Sequence, residues 1–191
     1  MSGAPLAGFA DPVHDAQRCF RHVLNAMSQP GRLARIGGVR PPAPLGMAAG
    51  AALLTLADHE TPLWIDPAAD AARDWLVFHC GAAVTADPAK CVFGLALSFP
   101  DLSRFSAGTH EEPENSATIV CQVESFSSGK TFRLSGPGLR APADLIVAGL
   151  PPDFSEIWAR NQALFPRGID LILCAGDALT ALPRTVSVQE L

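Results

Sequence analysis

Three short loops of this sequence combine arginine with glycine and proline, and a fourth, with proline and arginine, is similar; we call these four the glycine and arginine loops, and they are its strongest candidates for ligand chemistry. Arginine suits phosphate and carboxylate groups because its guanidinium donates hydrogen bonds in pairs. Glycine has no side chain and therefore lets a backbone approach a ligand or another chain closely. The alternative is that the loops are ordinary turns with surface arginines, and the residues alone do not decide between the two. The loops are Gln29-Pro30-Gly31-Arg32, Gly136-Pro137-Gly138-Leu139-Arg140, Phe165-Pro166-Arg167-Gly168-Ile169-Asp170 and Leu182-Pro183-Arg184-Thr185.

Nine residues of these loops are candidates for ligand binding or for an interface. Asp170 follows Arg167 closely, so an ion pair between the two would occupy that arginine inside the chain. No catalytic residue is assigned. The nine candidates are Pro30, Gly31, Gly136, Pro137, Gly138, Arg167, Gly168, Asp170 and Arg184.

Asp58 and Glu60 are two further candidates, because they form a dense polar triplet with His59. Adjacent residues at a helix end do not converge on one point, which disfavours a ligand site. We therefore prefer a helix C-terminus followed by a turn, with the ligand site as the alternative.

Several fragments resemble catalytic motifs but lack a residue that the chemistry needs. Gly129-Lys130-Thr131 resembles the end of a phosphate-binding loop, but position 124 is Glu where that loop has glycine, and a strand follows instead of a helix. His110-Glu111 would need a second histidine at position 114, which is Glu. The five cysteines form no Cys-x-x-Cys pair. The sequence therefore predicts no metal site, no iron–sulfur cluster and no other cofactor.

Composition excludes some kinds of partner. The chain has 191 residues, 14 basic and 19 acidic side chains, and a net charge of −5. It has no basic stripe, which argues against nucleic acid and anionic membranes as partners. Charged residues make up only 17% of the chain, which favours a surface that a partner buries. The length predicts a single domain over 1–191.

The cellular location is expected to be the cytoplasm. The uncharged run from Pro41 to Ala57 contains three prolines and is shorter than the roughly 20 residues that cross a membrane. Asp11 interrupts the N-terminal region early, which is not typical of a signal peptide. An odd number of irregularly spaced cysteines fits reduced thiols.

Helical and strand patterns alternate along the chain and predict an α/β fold, with a mixed central sheet flanked by helices. A helix begins at Asp11-Pro12 and stops at Pro30-Gly31, and a nearly apolar helix covers 45–57. Two more helices are predicted over 69–80 and from Asp153 towards Leu164, the second with Glu156 completing a capping box. Strands are predicted at 32–36, 62–65, 91–97, 145–148, 169–174 and 185–188, and a hairpin joins the strand at 118–124 to one at 131–134 through Ser127-Ser128-Gly129.

Six fragments in order resemble one family, PhnH, the H subunit of the bacterial carbon–phosphorus lyase system. The resemblance extends from about Phe9 to Val188. The fragments are 25–31 (NAMSQPG), 53–61 (LLTLADHET), 113–118 (PENSAT), 136–138 (GPG), 165–171 (FPRGIDL) and 182–185 (LPRT).

The resemblance implies a cytoplasmic subunit of a core complex with G, I and J partners that breaks down phosphonates. That complex first forms ribose 1-phosphonate 5-triphosphate from a phosphonate and ATP or GTP, with the I subunit as the catalyst. The J subunit, a radical S-adenosylmethionine iron–sulfur protein, later cleaves the carbon–phosphorus bond. The H subunit is required for the first step, is a homodimer in isolation, and has a fold similar to pyridoxal-phosphate-dependent transferases without the cofactor lysine.

Two functions follow from these observations. The first is a non-catalytic subunit that organises the complex and leaves apolar surface for its partners. The second is a phosphate-binding, nucleotide-binding or catalytic subunit, in which Arg167 or Arg184 would converge with Gly136–Gly138 on one cleft. We prefer the first, because the residues supply so few catalytic groups.

Overall fold

A computed structural model describes residues 7–191 and has the α/β architecture that the sequence predicts. The helices are α1 (Pro12–Ser28), α2 (Met47–Leu56), α3 (Arg73–Cys80) and α4 (Phe154–Gln162). The strands are β1 (Ala34–Arg35), β2 (Leu63–Ile65), β3 (Val84–Thr85), β4 (Phe93–Ala96), β5 (Thr118–Gln122), β6 (Ser125–Ser135), β7 (Ala143–Ala148), β8 (Asp170–Ala175), β9 (Ala178–Leu182) and β10 (Ser187–Glu190).

The central sheet is mixed and has seven strands in the order β1-β9-β8-β5-β4-β2-β3. The strands β3, β2, β4, β5 and β8 are parallel to their neighbours, and β9 returns antiparallel beside β8. A second, antiparallel sheet has the order β10-β6-β7. The parallel strands are mostly buried on both faces, as helices or the second sheet cover each side.

One face of the central sheet is covered by α1, α2 and α3. Asp11 caps α1 by accepting the backbone N–H of His14, and Pro12 is the first helical residue, as predicted. The α2 helix is buried along 48–53, also as predicted, because alanine and leucine leave no polar side to face water. Residues Ile172 and Cys174 of β8 point to this face.

The opposite face is covered by α4 and the three-stranded sheet. The β8 residues Leu171 and Leu173 point to this side, where they join the core around Phe154 and Trp158. The indole N–H of Trp158 donates to the carbonyl of Val186 at 2.7 Å, which fixes α4 against the segment before β10. The two apolar cores are therefore separated by the central sheet.

The predicted hairpin between β5 and β6 is wrong. β5 pairs with β4 and β8 in the central sheet, whereas β6 pairs with β7 and β10 in the other sheet. The turn-like segment Ser127-Ser128-Gly129 lies inside β6, where its pairing with β7 shifts register between Ser125 and Lys130. These residues thus form a β-bulge rather than a turn.

Other boundaries differ more modestly from the sequence analysis. The helix predicted over 69–80 is a 3₁₀ helix (Pro67–Ala72) followed by α3. The strands β3 and β9 were not predicted, the first strand is only two residues long, and the last begins at Ser187 instead of 185. Asp153 precedes α4 but makes no side-chain capping hydrogen bond, so the predicted capping box is absent. Within residues 7–191 no helix has the length and apolar character needed to traverse a membrane.

Candidate functional site

Arg184 and Asp170 form a largely buried ion pair at the start of β8. The Asp170 carboxylate accepts the backbone N–H of Arg184 at 2.7 Å and its Nε at 3.2 Å, and it also accepts Nη2. The Nη1 atom donates to the carbonyl of Pro113 at 2.8 Å, and Nη2 also donates to the hydroxyl of Ser116. The guanidinium is therefore fully engaged by protein groups, and we call these residues the Arg184 cluster.

The pairing of β8 with β9 explains why these two residues meet. Leu171 lies opposite Leu182 in the antiparallel ladder, so the chain that follows β9 returns beside the residues that precede β8. The sequence analysis considered an ion pair between Asp170 and Arg167, but in the structure Asp170 pairs with Arg184 instead. Ser116 and Asn161 are further polar residues at this site that were not among the candidates; Ser116 lies in the fragment 113–118 on which the family resemblance rests, whereas no motif marks Asn161.

Arg167 makes no ion pair with any residue in 7–191, and its Nε is buried without a hydrogen-bond partner there. Its backbone N–H donates to the carbonyl of Leu164 at 3.0 Å, and Gly168 donates to Ala107 at 2.9 Å. The residue as a whole is half-buried. Of the two arginines proposed for anion binding, Arg167 is thus the one still able to bind a partner group.

The loop Gly136-Pro137-Gly138 packs against other loops of the chain. A Cβ on Gly138 would lie 2.3 Å from the carbonyl oxygen of Ser28, and its φ is +86°. A Cβ on Gly136 would lie 3.1 Å from the carbonyl oxygen of Thr185. These glycines are therefore required for close contact within the chain itself.

Pro30 and Gly31 follow α1 and lie beside the same loop. The ring of Pro30 is 3.1 Å from the position of a Gly138 Cβ, and a Cβ on Gly31 would lie 2.7 Å from Leu134 Cδ1. The structure thus brings the four glycine and arginine loops into one continuous neighbourhood, with Thr185 beside Gly136 and Arg184 beside Gly168. They form packed loop contacts, and Arg184 points into the Arg184 cluster.

Asp58 and Glu60 lie in a turn after α2, as preferred in the sequence analysis. The Asp58 carboxylate accepts the backbone N–H of Glu60 at 2.9 Å and the hydroxyl of Thr61 at 3.0 Å, and these bonds lower the pKa of Asp58. The turn leads into β2, and β4 and β5 separate β2 from β8. Two strands therefore lie between the strand that follows the turn and the strand at which the Arg184 cluster lies.

A groove of about 680 Å³ lies between the segment 99–107 and α4. Its walls are apolar, and Arg160 and Asp101 are the charged side chains at it. None of the sequence-predicted site residues lines this groove. We call it the α4 groove; the apolar side chains that line it are Phe99, Leu102, Phe105, Ile157, Leu164 and Ile169.

The cysteines are free thiols, and four of the five are buried. Burial raises the pKa of Cys91 to about 11 and that of Cys121 to about 12, so both stay protonated near neutral pH. Among residues 7–191, no three histidine, cysteine or acidic side chains are grouped as a metal ion would require. The cysteines therefore act as small apolar core residues.

Comparison with known proteins identifies the family. The model of the family "Bacterial phosphonate metabolism protein (PhnH)" matches residues 7–189. A protein of Rhizobium meliloti (strain 1021), named alpha-D-ribose 1-methylphosphonate 5-triphosphate synthase subunit PhnH, is 42% identical over 187 residues, which cover 95% of this chain and 94% of that protein. A protein of Stutzerimonas stutzeri, named putative C-P lyase subunit protein HtxG, is 33% identical over 91% of this chain and 85% of its own length.

The match extends over nearly the whole described chain. It includes all four glycine and arginine loops, the Arg184 cluster and the turn that holds Asp58 and Glu60. The matched region, residues 7–189, contains all six fragments on which the resemblance was based. The chain belongs to the PhnH family of bacterial phosphonate metabolism proteins.

Proposed function

We propose that this chain is a structural subunit of a carbon–phosphorus lyase complex in phosphonate breakdown, required with its partners to form ribose 1-phosphonate 5-triphosphate from a phosphonate and ATP. The observation that carries the proposal is the family match over residues 7–189, together with two relatives whose names describe subunits. The catalytic step belongs to a partner, and this chain contributes surface and position.

The exposed apolar side chains of α1 support a role as a subunit. Val13, Phe20 and Leu24 recur at helical spacing and are 75%, 49% and 53% exposed. They form an apolar stripe beside the buried face of α1, and no apolar side chain within residues 7–191 covers this stripe. Apolar surface of this kind is typical of a chain that buries it against another subunit.

The partners we propose are the G, I and J subunits, and in their absence a second copy of the chain. We propose a cytoplasmic location, which the five free thiols support. We also propose one PhnH-like domain over 1–191, related in fold to pyridoxal-phosphate-dependent transferases but without the cofactor lysine. Lys130 supports the last point, because its ammonium is held by Glu190 at 2.7 Å and by the carbonyl of Pro152 at 3.0 Å.

A second candidate function is phosphate or nucleotide binding through the glycine and arginine loops. Arg184 argues against it, because an arginine held by Asp170, Ser116 and Pro113 has no donor left for a ligand. Arg167 is the observation in its favour, since its Nε is buried without a partner in the described chain. We therefore propose Arg167, with the exposed Gly136-Pro137-Gly138 loop, as the part of this site that meets a partner subunit.

The experiment is co-expression of the chain with its candidate G, I and J partners, followed by purification through a tag on this chain. We expect a complex of fixed stoichiometry, and we expect that Arg167→Ala weakens assembly while nucleotide binding by the isolated chain stays undetectable. Lys90→Ala, which removes an exposed positive charge outside these loops, is the control. Saturable ATP binding by the isolated chain that Arg167→Ala abolishes would support the second function instead.

A further inference from the structure

The α4 groove has the size and lining of a small-molecule site, and of the glycine and arginine loops only Ile169 reaches its lining. Small-molecule pockets have volumes of about 300–1,000 Å³ and are mostly apolar with a few polar groups. The α4 groove has about 680 Å³ and is bounded by the segment 99–107 on one side and by α4 on the other. Its dimensions therefore suit a ligand of drug-like size.

The walls of the α4 groove are held in place by the surrounding core. The ring of Phe99 packs edge-on against Phe154 with centroids 5.3 Å apart, and Phe105 packs edge-on against Trp64 at the same distance. The amide of Asn161 bonds both backbone groups of Ile169, at 2.9 Å and 2.8 Å. A groove with fixed walls loses little conformational entropy when a ligand enters.

Charge at the α4 groove is uneven. Arg160 is exposed, and no carboxylate of residues 7–191 lies within ion-pair distance of it. Asp101 is the acidic residue of the lining, but its Oδ1 accepts the hydroxyl of Ser103 at 2.7 Å and the backbone N–H of Ser103 at 3.0 Å. Arg104 also offsets the charge of Asp101. The guanidinium of Arg160 is thus the group with spare capacity to bind a ligand charge.

We propose that the α4 groove binds a small organic anion, with its apolar body between the segment 99–107 and α4 and its anionic head on Arg160. Carboxylates and phosphonates share this chemistry, because each presents paired oxygens that match a guanidinium. The site does not depend on assembly into a complex, so it stands independently of the proposed subunit role.

The test uses the full chain and 8-anilinonaphthalene-1-sulfonate, an aromatic anion that fluoresces when it enters an apolar site. We expect saturable binding with one site per chain at neutral pH. Three eight-carbon competitors then separate the possible ligands: octanoate, octylphosphonate and the neutral 1-octanol. We expect both anions to displace the dye at least about tenfold better than 1-octanol, because only they engage Arg160.

Four variants locate the site. Arg160→Gln should weaken dye binding about tenfold, and Arg160→Lys should retain most of it because the positive charge remains. Leu164→Trp should abolish binding by filling the α4 groove, since Leu164 is exposed enough to accept a larger side chain without disturbing the core. Arg21→Gln, in an exposed arginine of α1 on the opposite face of the sheet, should change nothing. Near-ultraviolet circular dichroism checks that each variant keeps its packing.

Three results would overturn the proposal. The first is no saturable dye binding to the folded chain, and the second is displacement by 1-octanol as effective as by the anions. The third is a combined result, in which Arg160→Gln and Leu164→Trp leave dye binding unchanged but weaken assembly with partner subunits. That result would mean that the α4 groove is a protein interface. None of these results bears on whether the wild-type chain co-purifies with its partners. The affinities of octanoate and octylphosphonate, compared with each other, then show whether the head group of the ligand is a carboxylate or a phosphonate.

Discussion

Arg184 is a structural residue in this chain, because its guanidinium connects three segments that are distant in sequence. It binds Asp170 at the start of β8, Ser116 before β5 and the carbonyl of Pro113. Only 14% of the Arg184 side chain and 12% of the Asp170 side chain are exposed, so water cannot replace a lost partner. The pair therefore matters for stability more than an exposed pair would.

We expect Arg184→Ala to lower the free energy of unfolding by about 3–5 kcal/mol, because it leaves the Asp170 carboxylate buried without its counter-ion. Urea unfolding monitored by tryptophan fluorescence measures the change. The control is Asp144→Ala, which removes the Arg133–Asp144 pair, half-exposed on both sides, and should cost less than about 1 kcal/mol. Equal losses in the two variants would contradict the structural role of Arg184.

Gly138 gives a second prediction at this scale. We expect Gly138→Ala to lower the free energy of unfolding by about 2 kcal/mol or more, because the new Cβ would meet the Ser28 carbonyl and its φ is positive. Gly176→Ala is the control, since Gly176 also has positive φ but has open space around its Cβ position, and it should cost about 1 kcal/mol. If Gly138→Ala were as stable as the wild type but failed to assemble, the glycine would serve a partner instead.

The sequence marked the four loops by their proline, glycine and arginine residues, but it did not show which groups those residues contact. In the structure these loops pack against one another. The pairing of Asp170 with Arg184 depends on β9. The residues of β9, Ala178–Leu182, do not alternate between apolar and polar, so the sequence gives no sign that they form a strand. Arg160 belongs to none of the motifs in the sequence, and it follows Glu156 by four residues, a spacing typical of a solvated helix face.

At the scale of elements, the exposed stripe of α1 makes the subunit proposal testable. We expect Phe20→Glu to leave the stability of the isolated chain unchanged within about 0.5 kcal/mol, because the side chain is half-exposed there, and to reduce co-purification with partner subunits several-fold. Thermal unfolding and tag-based co-purification are the two measurements.

Asn25→Glu is the matched control for that experiment. Asn25 is exposed on the same helix but lies about 100° from Leu24 around its axis, outside the apolar stripe. The same charge added there should not affect assembly. Equal loss of assembly in both variants would mean that added charge on α1, and not loss of the stripe, weakens the complex.

The sequence predicted helices better than strand pairing. The α1 helix is recognisable because a cap, a first-turn proline and an apolar periodicity are all local signals, and the α2 helix because its run of alanine and leucine is apolar on every side. The β5–β6 hairpin was wrong because adjacent strands in sequence here belong to different sheets, and the glycine that indicated a turn, Gly129, serves a bulge with a φ of +109°. Strand partners are set by packing between distant segments, which one sequence does not reveal.

At the scale of the whole molecule, the thiols predict a loss of stability at alkaline pH. Burial raises the pKa of Cys91 and Cys121 to about 11 and 12, whereas thiols in the unfolded chain ionise near 9.0. A group with a raised folded-state pKa stabilises the fold fully below its unfolded-state pKa, and this stability falls as the pH rises further. Burial also raises the pKa values of the other three cysteines, Cys19, Cys80 and Cys174, so they add to the same loss of stability. The chain has no tyrosine and only two lysines, so cysteines dominate the titration of its side chains in this range.

We therefore expect the free energy of unfolding to fall between about pH 8.5 and pH 11, by about 1.4 kcal/mol at pH 10 for each of the thiols of Cys91 and Cys121. Urea unfolding at pH 7.5 and pH 10 in the presence of a reductant measures the difference. Cys121→Ala is the control, because it should reduce this pH dependence even if it changes the stability at pH 7.5. A free energy that is the same at both pH values would contradict buried, protonated cysteines.

The most direct test of the subunit proposal is the mass of the particle that forms when the tagged chain is co-expressed with the G, I and J candidates. The structural account predicts one assembly of fixed stoichiometry that forms ribose 1-phosphonate 5-triphosphate from a phosphonate and ATP, and it predicts that omission of this chain abolishes the reaction. A chain that purifies alone, or a partner assembly equally active without it, would contradict the proposal.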